Sequence, residues 1–245
     1  MGIASTGNVC EMRHAYREAS GGEWQIETII TYNGGLPSYP DLEIDSQDRL
    51  HLVFYRPYNF GSDLMYATSD GSGWTFSEID TYSNTGYGPS MCMDSQEHLH
   101  VAYQRQGGDY DLLYAYYDGT SWSTETVTDG SGLASDRVGY YPDITVDAND
   151  LPHISCTLSY WTDSLIYAYN DGTQWHTVAL ADAAATKCTS IALDPQGHPY
   201  IGYQYATGSN EGPNDWRLAW YDGTQWNNEL LDAGYGYDGG ITMRF

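Results

Sequence analysis

Two aspartates, Asp41 and Asp143, share a local sequence in which each follows a proline and opens an alternating apolar run. Glu43 lies two residues after Asp41, so a β-strand would carry both carboxyls on one face. Carboxyl groups that share an opening can act as acid and base on a glycosidic bond, or can bind a cation such as Ca²⁺. Aspartate at a strand end also bonds loop backbone, and this structural alternative stays open beside the catalytic and metal interpretations.

A second candidate set consists of aromatic and arginine residues in segments rich in glycine, asparagine and aspartate. Aromatic faces pack against the C–H patches of a sugar, while a few polar groups bind its hydroxyls. The candidate ligand-binding residues are Arg56, Tyr58, Tyr87, Arg105, Tyr110, Tyr141, Trp161, Tyr205 and Tyr237. The alternative is that these tyrosines pack glycine-rich turns and contact no ligand.

Both candidate sets are positioned by an internal repeat. Aligned on alanines, five copies of an apolar and aromatic motif step along the chain by 52, 48, 53 and 51 residues: Ala15, Ala67, Ala115, Ala168 and Ala219. A period near 50 is that of one four-stranded blade. We therefore predict an all-β, five-bladed β-propeller with four antiparallel strands, A to D, in each blade.

The repeat also predicts the domain boundaries. We expect one domain over residues 1–245, with blades at 40–80, 89–128, 142–181 and 189–232. The fifth blade combines 240–245, which match strand A, with 1–30, in which Ile3 matches strand B. The N-terminal strand joining the C-terminal strand would close the ring and remove the open sheet edges of a linear array.

The two faces of this propeller are expected to differ. Strand order places the short, repetitive A–B and C–D turns on one face, and the long, dissimilar B–C and D–A connections on the other. Function is usually carried by irregular loops over a rigid scaffold. We therefore predict that the long-loop face carries the site.

The repeat contains an Asp-Gly-x-x-Trp unit, present at Asp70–Trp74, Asp118–Trp122, Asp171–Trp175 and Asp222–Trp226. This unit resembles the Asp-box hairpin of sialidase-like propellers, which has one more residue between Asp and Gly. In that family the box is a structural turn, and the arginine triad and Tyr/Glu pair of catalytic sialidases are not reproduced here in recognisable order. The aromatic repeats are also similar to those of propeller lectins, which implies carbohydrate sites between blades or in loops.

The amino-acid composition limits which classes of binding partner the protein can have. The chain has 9 Lys and Arg against 33 Asp and Glu, a formal net charge of −24, which argues against nucleic acid and anionic membranes as partners. No apolar run reaches the roughly 20 residues of a membrane-spanning helix. We expect an extracellular or cell-surface protein.

Cys92 and Cys156 are expected as buried thiols in strands, whereas Cys10 and Cys188 are expected in loops, where they could pair.

Three histidines, His51, His100 and His153, occupy one repeat position in different blades, which favours packing or turn-bonding roles over a shared metal.

Three functional hypotheses remain. The first is a non-enzymatic recognition module for a glycan or a protein surface. The alternatives are a glycoside hydrolase-type enzyme that uses Asp41, Asp143 and Glu43, and a structural subunit of an extracellular or cell-surface assembly.

Overall fold

The computed structural model describes residues 2–6, 9–17, 21–33, 35–107, 110–129, 137–158, 164–180, 185–205, 215–233 and 242–243, with the backbone alone at 2–6 and 185–187. These residues form nineteen strands in five antiparallel sheets. Blade 1 contains β4 (Ser38–Ile44), β5 (Leu50–Tyr58), β6 (Gly61–Ser69) and β7 (Trp74–Asp80). Blade 2 contains β8 (Tyr87–Met93), β9 (Leu99–Arg105), β10 (Asp111–Tyr117) and β11 (Trp122–Thr128).

Blade 3 contains β12 (Tyr140–Val146), β13 (Pro152–Thr157), β14 (Leu165–Asn170) and β15 (Trp175–Leu180). Blade 4 contains β16 (Ala185–Leu193), β17 (Pro199–Tyr205), β18 (Asp215–Tyr221) and β19 (Trp226–Asp232). Blade 5 has three described strands, β1 (Gly2–Thr6), β2 (Val9–Tyr16) and β3 (Gln25–Asn33). Strands pair in chain order within every sheet, so the predicted five-bladed propeller is confirmed.

The inner strands of successive blades lie side by side, β4 beside β8, β8 beside β12 and β12 beside β16. Buried aliphatic and aromatic residues fill four blade interfaces, 5/1, 1/2, 2/3 and 3/4. Each interface packs strand C of one blade against the tryptophan that opens strand D of the next blade. For example, the rings of Tyr114 and Trp175 meet edge to face at 5.2 Å. Apolar burial between blades therefore holds the array together.

The Asp-Gly-x-x-Trp unit forms the C–D turn, as expected. Asp171 Oδ1 accepts the backbone N–H groups of Thr173 and Gln174 at 2.8 and 2.9 Å. Gly172 adopts a φ of 88°, a conformation that side-chain-bearing residues rarely adopt. The repeated Asp-Gly pair thus serves the turn geometry.

The predicted ring closure falls largely outside the described residues, because only Thr242 and Met243 of the 240–245 segment are described. The Met243 N–H donates to Ser190 Oγ at 3.1 Å, which places this residue beside the inner strand of blade 4. Leu231, in strand D of blade 4, is 48% exposed, and Trp24, just before strand D of blade 5, is 62% exposed. Closure of the ring therefore stays a prediction.

The expectation that Cys10 and Cys188 lie in loops is wrong. Cys10 lies in β2 and Cys188 in β16, because both strands begin earlier in the chain than the repeat alignment indicates. Cys92 and Cys156 lie in strands, as expected. All four cysteines fall within the described part of the chain, and no disulfide joins them. No helix among the described residues is long and apolar enough to cross a membrane.

Candidate functional site

The first candidate site is a cavity of about 560 Å³ between the inner strands. Asp41, Ser90, Asp143 and Ser190 line it at one level, at equivalent positions of β4, β8, β12 and β16. Glu43 lines the cavity two residues further along β4. The structure thus brings the three predicted carboxyls into one cavity.

Hydrogen bonds link Asp41 and Asp143 to neighbouring blades. Asp41 Oδ2 accepts the Met91 N–H at 2.7 Å, and Asp143 Oδ2 accepts the Ile191 N–H at 2.8 Å. The Ser90 hydroxyl donates to Asp143 Oδ1 at 3.0 Å. Because the described sheets share no backbone ladder between blades, these bonds are a direct polar tie between neighbouring inner strands.

Burial raises the pKa of both aspartates above the ordinary carboxyl value, and hydrogen bonds partly offset it. The nearby charge of Asp41 raises the pKa of Asp143 further. A carboxyl with a raised pKa is suited to general acid chemistry. The same two groups therefore tie the blades together and have pKa values shifted in the direction that favours a general acid.

The cation hypothesis gains no support from the geometry. Within the described residues, no group of three or more His, Cys, Asp or Glu side chains is arranged to hold a metal ion. The oxygens of Asp41 and Asp143 already accept backbone N–H or hydroxyl donors. A Ca²⁺ ion would have to displace those donors to gain the six to eight oxygen ligands it prefers.

A backbone bulge stands at the head of each described inner strand. Tyr39, Tyr141 and Cys188 adopt positive φ angles of 53°, 50° and 46°, and Gly88 occupies the equivalent position at 58°. The strand register shifts at each of these points. Non-glycine residues are strained in this conformation, and such strain is often found at functional sites. The residue types gave no sign of this bulge.

Tyrosines of β4, β5 and β8 meet near the heads of the inner strands. The hydroxyls of Tyr39 and Tyr87 lie 2.8 Å apart, and their ring centroids are separated by 4.8 Å. The Tyr55 ring meets Tyr87 edge to face at 5.6 Å. Of the predicted long-loop residues, Tyr87 thus joins an aromatic cluster, three residues before Ser90 of the cavity.

Of the other long-loop candidates, Tyr141 lies near enough to Tyr87 to act on it electrostatically, and Tyr110 stacks on Tyr140, whose ring centroid is 6.5 Å from that of Tyr141. Arg56 donates to Asp63 and Glu78, and Arg105 pairs with Asp111, so both guanidinium groups already have acidic partners. The remaining described candidates pack locally or face solvent: Tyr110 beneath Arg137 at 4.7 Å, Tyr205 beneath Arg217 at 4.1 Å, Tyr141 at the bulge and Tyr58, which is half exposed. Trp161 and Tyr237 lie outside the described residues.

A second kind of site lies between blades, on the face that carries the short turns. Clefts of about 540, 420 and 390 Å³ occur at the 5/1, 2/3 and 3/4 interfaces. The resemblance to propeller lectins implied sites between blades or in loops, but no candidate residue was placed in these clefts, because the short-turn face was assigned to scaffold. The signal available was a tyrosine directly after the motif alanine in three repeats, at Tyr16, Tyr116 and Tyr169.

The three clefts have the same construction. Strand C of one blade contributes that tyrosine, together with the aromatic residue or histidine two positions before it. The next blade contributes residues of its A–B turn or the start of its strand B. In the 2/3 cleft these are Tyr114 and Tyr116 from one blade and Leu151 and Pro152 from the next. Each cleft thus combines aromatic and aliphatic surface with nearby polar side chains.

Buried histidines support the cleft walls. His100 lies between Asp94 Oδ2 at 3.3 Å and the Tyr114 hydroxyl at 2.7 Å, and both His100 and Tyr114 line the 2/3 cleft. His153 bonds the Tyr167 hydroxyl at 2.5 Å beside the 3/4 cleft. Burial lowers the pKa of His100 and of His153, so both are neutral at physiological pH. These contacts match the packing or turn-bonding role predicted for this repeat position.

No protein-family model matches the chain, and no curated protein matches it in sequence. Solved structures match its fold at low identity. A protein of unknown function from Dyadobacter fermentans DSM 18053 is 12% identical with a TM-score of 0.61, and the match covers 93% of this chain and 74% of that one.

Two carbohydrate-related structures are also similar. An Aleuria aurantia lectin mutant in complex with Fucalpha1-6GlcNAc is 12% identical with a TM-score of 0.56, over 97% of this chain and 80% of that one. A PL25 ulvan lyase is 10% identical with a TM-score of 0.57, over 92% and 69% of the respective chains. At these identities the likeness is one of fold. One of the two is a binding protein and the other a lyase.

Proposed function

We propose that this protein is a carbohydrate-recognition module that binds saccharides in the clefts between its blades. The observation that carries the proposal is the recurrence of one cleft construction at three interfaces. A binding module gains avidity from repeated sites, whereas an enzyme needs one catalytic constellation. Aromatic surface for sugar C–H patches and nearby polar groups for hydroxyls are both present in each cleft.

The net charge of the chain indicates whether the ligand is a charged or a neutral saccharide. A formal net charge of −24 disfavours polyanionic glycans through long-range repulsion. Carboxylates, tyrosine hydroxyls and imidazoles in the clefts are suited to the hydroxyls of neutral sugars. The solved lectin of the same fold, in complex with a fucosylated saccharide, supports the carbohydrate class.

The experiment is a glycan array run with matched tyrosine variants. Blade 1 has Thr68 at the position of Tyr16, Tyr116 and Tyr169, so Tyr→Thr at these three positions introduces a residue that the repeat already accepts. We expect the triple variant to lose binding. Tyr82→Thr, which changes an exposed tyrosine outside the clefts, is the control and retains binding. A blank array with folded wild-type protein would overturn the proposal.

A second candidate function is a glycoside hydrolase-type enzyme. It is favoured by two carboxyls of raised pKa in one cavity, Asp41 and Asp143, with Glu43 beside them. An Asp41→Asn, Asp143→Asn double variant separates the candidates. Loss of saccharide cleavage in this variant, with cleavage retained in the triple tyrosine variant, supports the enzyme. Unchanged glycan binding in the double variant supports the recognition module.

A further inference from the structure

One of the differences between the described clefts lies in a wall residue of strand D. On strand C, the residue two positions before the cleft tyrosine is His14, Tyr114 or Tyr167. The strand D residue that pairs with it is Glu27, Glu125 or Val178, respectively. Each of these three strand D residues lines its cleft. The 3/4 cleft therefore has an apolar side chain where the other two have a carboxylate.

This substitution changes the hydrogen bonding of the neighbouring tryptophan. Trp74 Nε1 donates to Glu27 at 3.1 Å, and Trp175 Nε1 donates to Glu125 at 2.8 Å. Val178 offers no acceptor to Trp226, whose indole N–H has no partner among the described residues. Trp226 is only partly buried and packs beside Val178 at the 3/4 interface.

Trp226 also lines its cleft, whereas Trp74 and Trp175 are not among the lining residues of theirs. The apolar surface around it comes from Val178 and Pro199. A hydrogen-bond donor beside a small apolar patch matches a carbonyl oxygen next to a methyl group. An acetamido substituent carries a carbonyl oxygen and a methyl group on the same carbon atom, whereas a hydroxyl presents neither.

The remaining wall of the 3/4 cleft suits a sugar ring. Tyr169 and Tyr221 supply aromatic surface from the two blades, and His198 supplies an imidazole. His198 Nδ1 is held by Asp194 Oδ2 at 3.2 Å, which fixes the orientation of its ring. The cleft volume of about 390 Å³ lies in the range of small-ligand sites.

We propose that the 3/4 cleft selects saccharides that carry an acetamido group, with Trp226 Nε1 donating to the carbonyl and the methyl packing on Val178 and Pro199. The glutamate-walled 5/1 and 2/3 clefts bind hydroxyl-bearing sugars without this preference. Val178, Glu27 and Glu125 are thus the residues that determine specificity. This inference rests on the proposed function, because it requires that the clefts bind saccharides.

The test follows the indole N–H signals of the eight tryptophans by ¹⁵N NMR. The Trp226 signal is assigned from Trp226→Phe, and methyl N-acetylglucosaminide is titrated against methyl glucoside. We expect the Trp226 signal to shift with the acetamido sugar, and Trp226→Phe to weaken binding at this cleft by about tenfold, the effect of one lost hydrogen bond.

Two further variants exchange the wall residue. Val178→Glu supplies the acceptor found in the other clefts, so the Trp226 signal should no longer respond to the acetamido sugar. Glu125→Val should expose the Trp175 N–H and confer a response on its signal. If both sugars bind the 3/4 cleft equally and the exchanges change nothing, the inference fails while the proposed function stands. If neither sugar shifts any signal and the glycan array is blank, the proposed function fails as well.

Discussion

Because Asp143 bonds the inner strands of both neighbouring blades, we predict that Asp143→Ala substantially lowers the free energy of unfolding. This change removes the acceptors of the Ile191 N–H and the Ser90 hydroxyl. Ile191 is 4% exposed, so water cannot readily replace the lost acceptor of its N–H. A buried donor left unpaired costs about 1–3 kcal/mol of unfolding free energy. For a domain of this size that corresponds to a Tm lower by roughly 2–12 °C.

Asp143→Asn is the matched control, because its amide oxygen still accepts one N–H and its amide nitrogen can donate to Ser90. Burial raises the pKa of Asp143 in the folded state, so the native protein binds its proton more tightly than the unfolded chain does. The stabilisation that the protonated Asp143 carboxyl contributes is therefore fully present below its pKa in the unfolded chain. It is lost as the pH rises through its higher pKa in the folded protein. The Asn variant lacks this pH dependence.

The assay is thermal unfolding, followed by circular dichroism across pH 3 to 8. We expect the Ala variant to unfold at a lower temperature than wild type throughout. The Asn variant should equal or exceed wild type near neutral pH. An unchanged Tm for Asp143→Ala would refute the structural role of the tie and would leave general acid chemistry as the better explanation of the carboxyl.

Further predictions concern other parts of the fold. His100 is buried with a pKa lowered from 6.5, so its stabilising contribution is present above pH 6.5 and is lost as the pH falls through the folded value; His100→Gln should flatten acid unfolding curves. Tyr141→Gly relieves a positive φ and should raise unfolding free energy by about 1 kcal/mol in urea titrations, whereas Gly88→Ala at the equivalent bulge should lower it. Deleting residues 240–245 removes the predicted closing strand and should lower the Tm; an unchanged Tm would contradict ring closure.

Much of this fold could be predicted from the sequence, because each blade repeats the same alternation of strand and turn. The alanines that mark strand C are small where successive blades pack, and the Asp-Gly pairs fix the C–D turns. Four of the five motif alanines, Ala67, Ala115, Ala168 and Ala219, are buried at blade interfaces. The strand starts at Cys10 and Cys188 were misplaced, since both strands extend beyond the segment that the repeat marks.

The sites were harder to predict, because they depend on contacts between repeats. Asp41, Glu43 and Asp143 were expected to share an opening, and they line one cavity. The clefts require a residue of one blade to face the turn of the next, which a single repeat does not encode. The difference between Glu125 and Val178 is visible in the sequence, but its consequence for Trp226 depends on strand register.

The central claim is that saccharides bind in several clefts between blades. Native mass spectrometry of the protein with an array-identified saccharide counts bound ligands per chain directly. We predict more than one ligand per chain, with the number falling by one for each Tyr→Thr change at Tyr16, Tyr116 and Tyr169. A single ligand per chain that these changes leave in place, and that Asp41→Asn with Asp143→Asn removes, would contradict the account.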